Sequence, residues 1–262
     1  MYRWTAAYPV KPAAARSRYP GEGAITADPP FSDILARLMA APGSEGVDSL
    51  EVRWIFPGQL GTAAAGWFGR FPATPESRED TYLLDPPVRR RSVKVRGGGP
   101  LEIKTYRGSP GVLDLAGRAR GHMEYWRKWS FAVSPLSQAG GNPPGWRPVR
   151  KKRRLSWFSL GRPVAVDAPR AVQEPACTVE LTELTTSGQD WWSLGFEATG
   201  PAGLLRGELE ATAALVFAEA MPGGLEPGAD QSSSYAEWLC RRRPSQSPEH
   251  PATGRPVPGP AR

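Results

Sequence analysis

The sequence predicts a mostly β protein of the α+β type: an eight-stranded antiparallel closed β-barrel, or tunnel, with flanking and C-terminal helices. The first observation behind this prediction is a repeated alternation of apolar and charged residues, which is typical of strands. The second is a set of short polar or glycine-rich links, such as the three glycines at 97–99, which favour hairpins. The third is a change to helical spacing after residue 204. Eight strands can close a barrel around side chains or one small ligand.

The predicted strands follow one another between residues 49 and 198. In the first of them, apolar side chains at 50, 52 and 54 alternate with Ser49, Glu51 and Arg53. The later strands repeat this alternation, with lysine, arginine or glutamate on one face and valine, leucine or isoleucine on the other. The eight segments are residues 49–56, 80–84, 92–96, 101–107, 124–133, 149–158, 178–185 and 191–198.

Three helices are predicted, and we expect them to lie outside the barrel. Residues 59–71 predict a short helix, and residues 204–221 predict a longer one from their apolar spacing. Residues 234–242 predict a last helix with a serine cap from residues 232–234. With helices packed on the apolar face of the strands, the charged face would line a polar lumen.

Composition limits the class of protein. The chain has 262 residues, of which 40% are hydrophobic, which is enough for one sizeable core. No apolar run reaches the ~18 residues of a membrane span, and the first residues lack the apolar region of a signal peptide. Cys177 and Cys240 are too few for a disulfide framework or a multi-cysteine zinc site. We therefore expect a cytoplasmic protein with no membrane contact.

The domain organisation is predicted to be one tunnel domain, residues 48–243, between two disordered tails. Residues 1–47 show no sustained period, although Phe31–Met39 is long enough for two turns of helix. Residues 244–262 are proline-rich and nearly free of large apolar side chains, so they cannot bury enough surface to fold.

Charge is distributed unevenly along the chain. Residues 48–170 contain 22 Lys+Arg and 10 Asp+Glu, a net charge of +12, whereas residues 171–243 contain 4 Arg and 11 Asp+Glu, a net charge of −7. One interpretation is a chance difference between solvated faces. The other is a single site whose two halves carry opposite charge.

Seven short motifs occur in order along residues 48–243. They are Glu51-Val-Arg53, Asp80 to Asp85, Lys94-Val-Arg96, Glu102-Ile-Lys104, Val179-Glu180-Leu181, Gly195-Phe-Glu197 and Ser234 to Glu237. Their order resembles the CYTH superfamily of triphosphate tunnel metalloenzymes. That resemblance implies an eight-stranded antiparallel tunnel and a phosphate substrate, since members include adenylate cyclases and thiamine, inorganic and RNA triphosphatases. The chain departs from the family pattern Glu-x-Glu-x-Lys, because Ser49 replaces the first glutamate and Arg53 the lysine.

The resemblance and the basic strand residues together predict a phosphate-binding set. Several guanidinium and ammonium groups converging in a tunnel would bind a triphosphate, with arginine giving bidentate contacts. The alternative is that each is a solvated strand residue. The candidate residues are Arg53, Lys94, Arg96, Lys104, Lys128, Lys152 and Arg153.

A metal site is predicted from the acidic strand residues. Carboxylate oxygens suit Mg²⁺ or Mn²⁺, and Mg²⁺ usually takes one or two carboxylates together with phosphate oxygens and water. The candidate ligands are Glu51, Glu180 and Glu197, with Glu102 as a further candidate. The alternative is that these acids are counter-charges to the lysine and arginine rows.

Three functions remain open from the sequence. The first is binding and metal-dependent hydrolysis of a triphosphate or polyphosphate. The second is a non-catalytic module that binds a phosphate ligand. The third is RNA binding by the basic run 150–154, with tryptophans 126, 129, 146 and 157 as stacking surfaces. Divalent-metal dependence distinguishes the first from the second, and a steep salt dependence distinguishes the third.

Overall fold

The computed structural model describes residues 31–41, 45–84, 90–132, 145–159, 162–166 and 175–242. The chain divides into two compact units, Met1–Ala41 and Pro42–Arg262. The first contains helix α1, Phe31–Met39, which is the short helix that the sequence allowed in the N-terminal tail. Of the other residues of the two predicted tails, 40, 41 and 45–47 are described, and residue 47 begins the first strand; the rest lie outside the described ranges. Among the helices described, none is long and apolar enough to cross a membrane.

The second unit is built mainly from strands. The strands are β1 Val47–Pro57, β2 Thr74–Leu83, β3 Arg91–Arg96, β4 Leu101–Leu115, β5 Ala119–Phe131, β6 Trp146–Ser159, β7 Arg162–Val166, β8 Ala176–Thr186 and β9 Gln189–Thr199. The helices are α2 Thr62–Phe68, α3 Leu205–Val216 and α4 Tyr235–Arg241, with a 3₁₀ turn at Pro222–Gly224.

Eight of these strands form a closed antiparallel barrel. Their order around the barrel is β2-β3-β4-β5-β1-β9-β8-β6, and pairing between β2 and β6 closes the ring. Strand β7 pairs with the end of β6, outside the ring. The predicted fold class is therefore confirmed. The link between β3 and β4 is a tight turn in which Gly97 (φ 55°) and Gly98 (φ 71°) adopt the left-handed backbone that such turns require.

The main hydrophobic core lies between the outer face of the barrel and helices α2 and α3. Trp54 of β1 is fully buried there, in edge-on contact with Phe196 of β9 and with Phe217. Its indole Nε1 donates to the carbonyl of Arg120 at 2.9 Å, so the one polar atom of this side chain is satisfied. Each large side chain buried in this way contributes about 1.5–3 kcal/mol. The apolar face of the strands thus points outward under the helices, and the charged face points inward.

Helix α4 differs from the prediction, because it closes one end of the barrel instead of packing on the outside. Ser234 caps the helix by accepting from the backbone N–H of Glu237 at 3.4 Å. Trp238 packs edge-on against Trp191 of β9, with ring centroids 5.5 Å apart. A second apolar cluster fills this end of the barrel: Ile55, Tyr82, Leu84, Val149, Leu184, Trp191, Trp238 and Leu239.

Several strands are longer than predicted. Strand β2 begins at Thr74 instead of residue 80, because its first half is polar on both faces and shows no apolar alternation. Strands β4 and β5 extend beyond the predicted segments 101–107 and 124–133, to Leu115 and back to Ala119, with register shifts near Gly108 and Gly111 that interrupt the alternation. Strand β7 was not predicted.

Candidate functional site

The lumen is lined by the charged face of the strands. Lys104 shows this directly: it lies on β4, yet its Nζ is 3.1 Å from Oε1 of Glu197 on β9, three strands further round the barrel. Such a contact is possible only across the inside. The sequence-based expectation of a polar lumen agrees with this geometry.

Arg53 lies close to the end that α4 closes. Its guanidinium forms an ion pair with Glu180 of β8 and donates to the hydroxyl of Tyr235 at 3.0 Å. It also lies over the Tyr235 ring, 4.2 Å from the centroid. Burial lowers the pKa of Arg53, but the charge and hydrogen bond of Glu180, together with Tyr235 and Glu51, outweigh this effect, and the pKa lies above its ordinary value. Arg53 therefore links β1, β8 and α4 through one charge.

Gly195 provides the space that Arg53 occupies. It lies opposite Arg53 in the ladder between β1 and β9. A Cβ atom at this position would lie 2.7 Å from Nη1 of Arg53 and 2.8 Å from its Cζ. The guanidinium thus rests on the bare backbone of β9, two residues before Glu197.

Asp80 of β2 is the most deeply buried acid of the lumen and has three basic partners. Its carboxylate lies 2.9 Å from Arg78, 3.1 Å from Lys94 and 3.0 Å from Lys151. Burial raises the pKa of Asp80, but the charge of Lys151 and the other two cations hold it well below its usual range. Burial lowers the pKa of Lys151 in spite of the Asp80 carboxylate, and its Nζ also donates to the hydroxyl of Tyr82 at 2.7 Å.

Glu76 of β2 lies among three guanidinium groups. Arg78 donates to its Oε1 at 2.8 Å, Arg153 of β6 donates to its Oε2, and Arg96 of β3 lies 3.6 Å from Oε1. Arg153 also binds Glu180. Burial raises the pKa of Glu76, but Arg153, Arg78 and Arg96 together lower it below the ordinary value.

Glu102 of β4 lies between two cations of the neighbouring strand β3. Its oxygens are 3.1 Å from Lys94 and 3.1 Å from Arg96. Burial raises the pKa of Glu102, but Lys94, Arg96 and Lys128 hold it well below its usual range. Lys128 of β5 lies opposite Lys104 in the ladder with β4, so it faces the lumen as predicted.

Two of the predicted metal ligands lie together. Glu51 of β1 and Glu197 of β9 are opposite each other in the ladder, and both bind the ammonium group of Lys104. Ser49 donates to Glu51 at 3.0 Å. Burial raises the pKa of Glu197, but Lys104 and Lys128 lower it to about 2, so the carboxylate is ionised near neutral pH.

Glu124 of β5 extends this acidic row and was not predicted as a site residue. It lies opposite Glu51 on the other side of β1, so the carboxylates of β9, β1 and β5 are neighbours. It accepts from Nε1 of Trp126 at 3.1 Å. Burial, together with the charge of Glu51, raises the pKa of Glu124 to about 7. A carboxyl group that titrates near neutral pH therefore lies in the same row as the ionised Glu197.

The donor set fits a metal ion only in part. Within the described ranges, no group of three or more His, Cys, Asp or Glu side chains is arranged to hold an ion. Glu51 and Glu197 form a two-carboxylate pair, which suits Mg²⁺ when phosphate oxygens complete the coordination. Glu180 lies apart from that pair, between Arg53 and Arg153. Glu102 lies between Lys94 and Arg96.

The basic run 150–154 is divided between the two faces of β6. Lys151 is buried and Arg153 is partly buried on the lumen side, whereas Arg150 and Lys152 are exposed on the outside. Lys152 is therefore apart from the other predicted phosphate-binding residues. It lines an external groove of about 710 Å³ together with Arg150, Glu79 and Glu183.

The structure brings together most of the predicted site and adds residues that the sequence analysis missed. Arg53, Lys94, Arg96, Lys104, Lys128 and Arg153 all face the lumen, as do the four acids. The residues missed are Glu76, Arg78, Asp80, Glu124, Lys151 and Tyr235. Lys151 could have been predicted from the sequence, because side chains two residues apart on a strand point to the same face, and Lys151 is two residues from Arg153.

No family model matches the chain, and no curated protein is significantly similar to it.

Proposed function

We propose that this chain is a divergent CYTH-type tunnel protein whose lumen binds a triphosphate or polyphosphate. The observation that carries the proposal is the convergence of basic side chains from strands β1 to β6 inside one closed barrel. Arginine can bind phosphate oxygens through two parallel hydrogen bonds, and lysine acts as a point charge. The basic residues are Arg53, Arg78, Lys94, Arg96, Lys104, Lys128, Lys151 and Arg153.

The proposed metal is Mg²⁺ or Mn²⁺, held by Glu51 and Glu197 with phosphate oxygens of the ligand. When bound, the ion would neutralise charge on the phosphate and orient a water molecule. Lys104, which binds both carboxylates, would then turn toward the phosphate chain. Glu124 supports the hydrolytic alternative, because a group with a pKa of about 7 can accept a proton near neutral pH.

Non-catalytic binding is the second candidate. It is favoured by the ion pairs of the acids, because Glu51 and Glu197 share Lys104 and Glu180 is held by two arginines. In that case the acids keep the cations in place, and the ligand binds without metal. RNA binding has less support, because the division of residues 150–154 leaves half of that run inside the barrel.

The test is a thermal melt of the full chain with tripolyphosphate, ATP, thiamine triphosphate or a short RNA, with and without Mg²⁺. A ligand that binds only the folded state raises Tm, by a stabilisation of about 2.7 kcal/mol at a concentration of 100 times Kd. We expect a rise with at least one triphosphate. Arg96→Gln in the lumen should reduce the rise, whereas Arg150→Gln on the outer face of β6 should not.

Metal dependence then separates the two candidates. A rise that needs Mg²⁺, followed by phosphate release, supports the enzyme. A rise that Mg²⁺ leaves unchanged supports the binding module. A rise with RNA that Arg150→Gln abolishes would move the site to the outer face, and no rise with any triphosphate would refute the proposal.

A further inference from the structure

The three arginines around Glu76 are each anchored by a second, more deeply buried acid. Arg78 also binds Asp80. Arg96 likewise binds Glu102, and Arg153 binds Glu180. If Glu76 moved away, these second partners would keep all three guanidinium groups where they are. A guanidinium has five N–H donors in a fixed fork, so it can serve two anions at once.

Glu76 differs from the anchoring acids in its access to solvent. Its side chain is 31% exposed, whereas those of Asp80, Glu102 and Glu180 are 0%, 6% and 8% exposed. A carboxylate with this exposure can turn into water without leaving a buried charge unpaired. The anchoring acids cannot do so, because their removal would strand buried cations at high cost.

The geometry around Glu76 also suits an anion larger than a carboxylate. Three guanidinium groups from β2, β3 and β6 approach it, but the carboxylate has only two oxygens and one charge. A phosphate group offers three oxygens and up to two charges, and arginine forks match it well.

We propose that Arg78, Arg96 and Arg153 form the subsite for one phosphate group of the ligand, and that Glu76 occupies this subsite in the free protein as an internal stand-in. On ligand binding, Glu76 turns toward solvent and the phosphate takes its place. The inference rests on the proposed function, because it requires that the phosphate chain binds in the lumen. It predicts that an acidic side chain of the site opposes binding.

The test is the affinity of Glu76→Gln for tripolyphosphate, measured by titration calorimetry on the full chain at fixed ionic strength. We expect binding to become tighter by about tenfold, because a competing charge at a few ångströms is removed. Glu79→Gln is the matched control, since it removes the same charge from the outer face of the same strand. Its affinity should stay within about twofold of the wild type, because exposed charges are screened.

Arg96→Gln in the Glu76→Gln background should cancel the gain, since it removes one of the three guanidinium groups. If Glu76→Gln does not fold, Glu76→Asp provides a second test. Its shorter carboxylate reaches fewer of the arginines and should bind tripolyphosphate more tightly than the wild type.

The outcomes separate this inference from the proposed function. Unchanged or weaker binding by Glu76→Gln, with normal binding by the wild type, would overturn the inference alone. Equal gains in Glu76→Gln and Glu79→Gln would also overturn it, because they would reflect net charge only. Absence of binding by the wild type and by every variant would overturn both.

Discussion

The position of Arg53 depends on the absence of a side chain at Gly195. The guanidinium lies on the backbone of β9, and from there it reaches both Glu180 and Tyr235. A buried charge with two partners from other elements is costly to displace, because both partners lose their contact together.

Gly195→Ala should therefore destabilise the protein. The new Cβ would lie 2.7 Å from Nη1 of Arg53, so the guanidinium must shift away from Glu180. We expect a loss of about 1–3 kcal/mol in the free energy of unfolding, measured by urea denaturation. Gly207→Ala in α3 is the control: it meets no atom within 4 Å and should stabilise the protein by up to about 1 kcal/mol. Equal stability of Gly195→Ala and the wild type would contradict the described contact.

At the scale of the elements, helix α4 depends on the barrel for its stability. A helix of seven residues is not stable by itself in water, even with the serine cap that Ser234 provides. Its buried side chains, Trp238 and Leu239, enter the apolar cluster at the end of the barrel. The helix and the closed end therefore form together.

Trp238→Ala should open this end. Loss of a buried tryptophan costs about 3–5 kcal/mol, and we expect this decrease in the free energy of unfolding by urea denaturation. Glu237→Ala on the same helix removes only a surface ion pair with Arg241, so its effect should stay below about 1 kcal/mol. A Trp238→Ala variant as stable as the control would show that α4 does not close the barrel in solution.

The elements also show how far sequence reasoning extends. Strands such as β1 and β3 were predicted nearly to their ends, because one face is apolar and the other charged. The first half of β2 was missed, since Thr74 to Asp80 includes a proline and no large apolar residue. Because they lie in this half, Glu76 and Arg78 were not predicted as site residues either. Alternation also predicts which face a side chain takes, but not its partner across the lumen, because that depends on how the barrel closes.

At the scale of the whole molecule, the lumen is a network of opposite charges inside a closed barrel. Three of its acids, Asp80, Glu102 and Glu180, have a pKa below the ordinary value because neighbouring cations outweigh the effect of burial. Such groups stabilise the folded state above their unfolded pKa. That contribution is lost as pH falls through the folded pKa.

Stability should therefore fall steeply on acidification from about pH 4.5 toward pH 2, where Glu197 titrates. Glu124 changes the stability in the opposite direction. Because its pKa is raised in the folded state, the free energy of unfolding decreases as pH rises from about 4.5 to 7. Thermal melts from pH 2 to 8 should thus show a maximum near pH 5. Glu124→Gln should reduce the decline above pH 5 without abolishing it, because burial also raises the pKa of Glu208 to about 7, and it should leave the fall in stability below pH 5 unchanged. A profile that is flat between pH 2 and 5 would contradict the ionised lumen.

The pairing of β1 has a consequence for how quickly the barrel can form. One edge of β1 pairs with β5, but the other pairs with β9, so Ser49 must meet Thr199. Contacts between residues so far apart in the chain slow folding, because the intervening loop must be closed first. During synthesis, the second edge of β1 stays unpaired until β9 has been made. Until then, the unpaired edge and the apolar side chains of Leu50, Val52 and Trp54 are open to contact with other chains. Such contacts lead to aggregation, so the yield on refolding should fall as protein concentration rises.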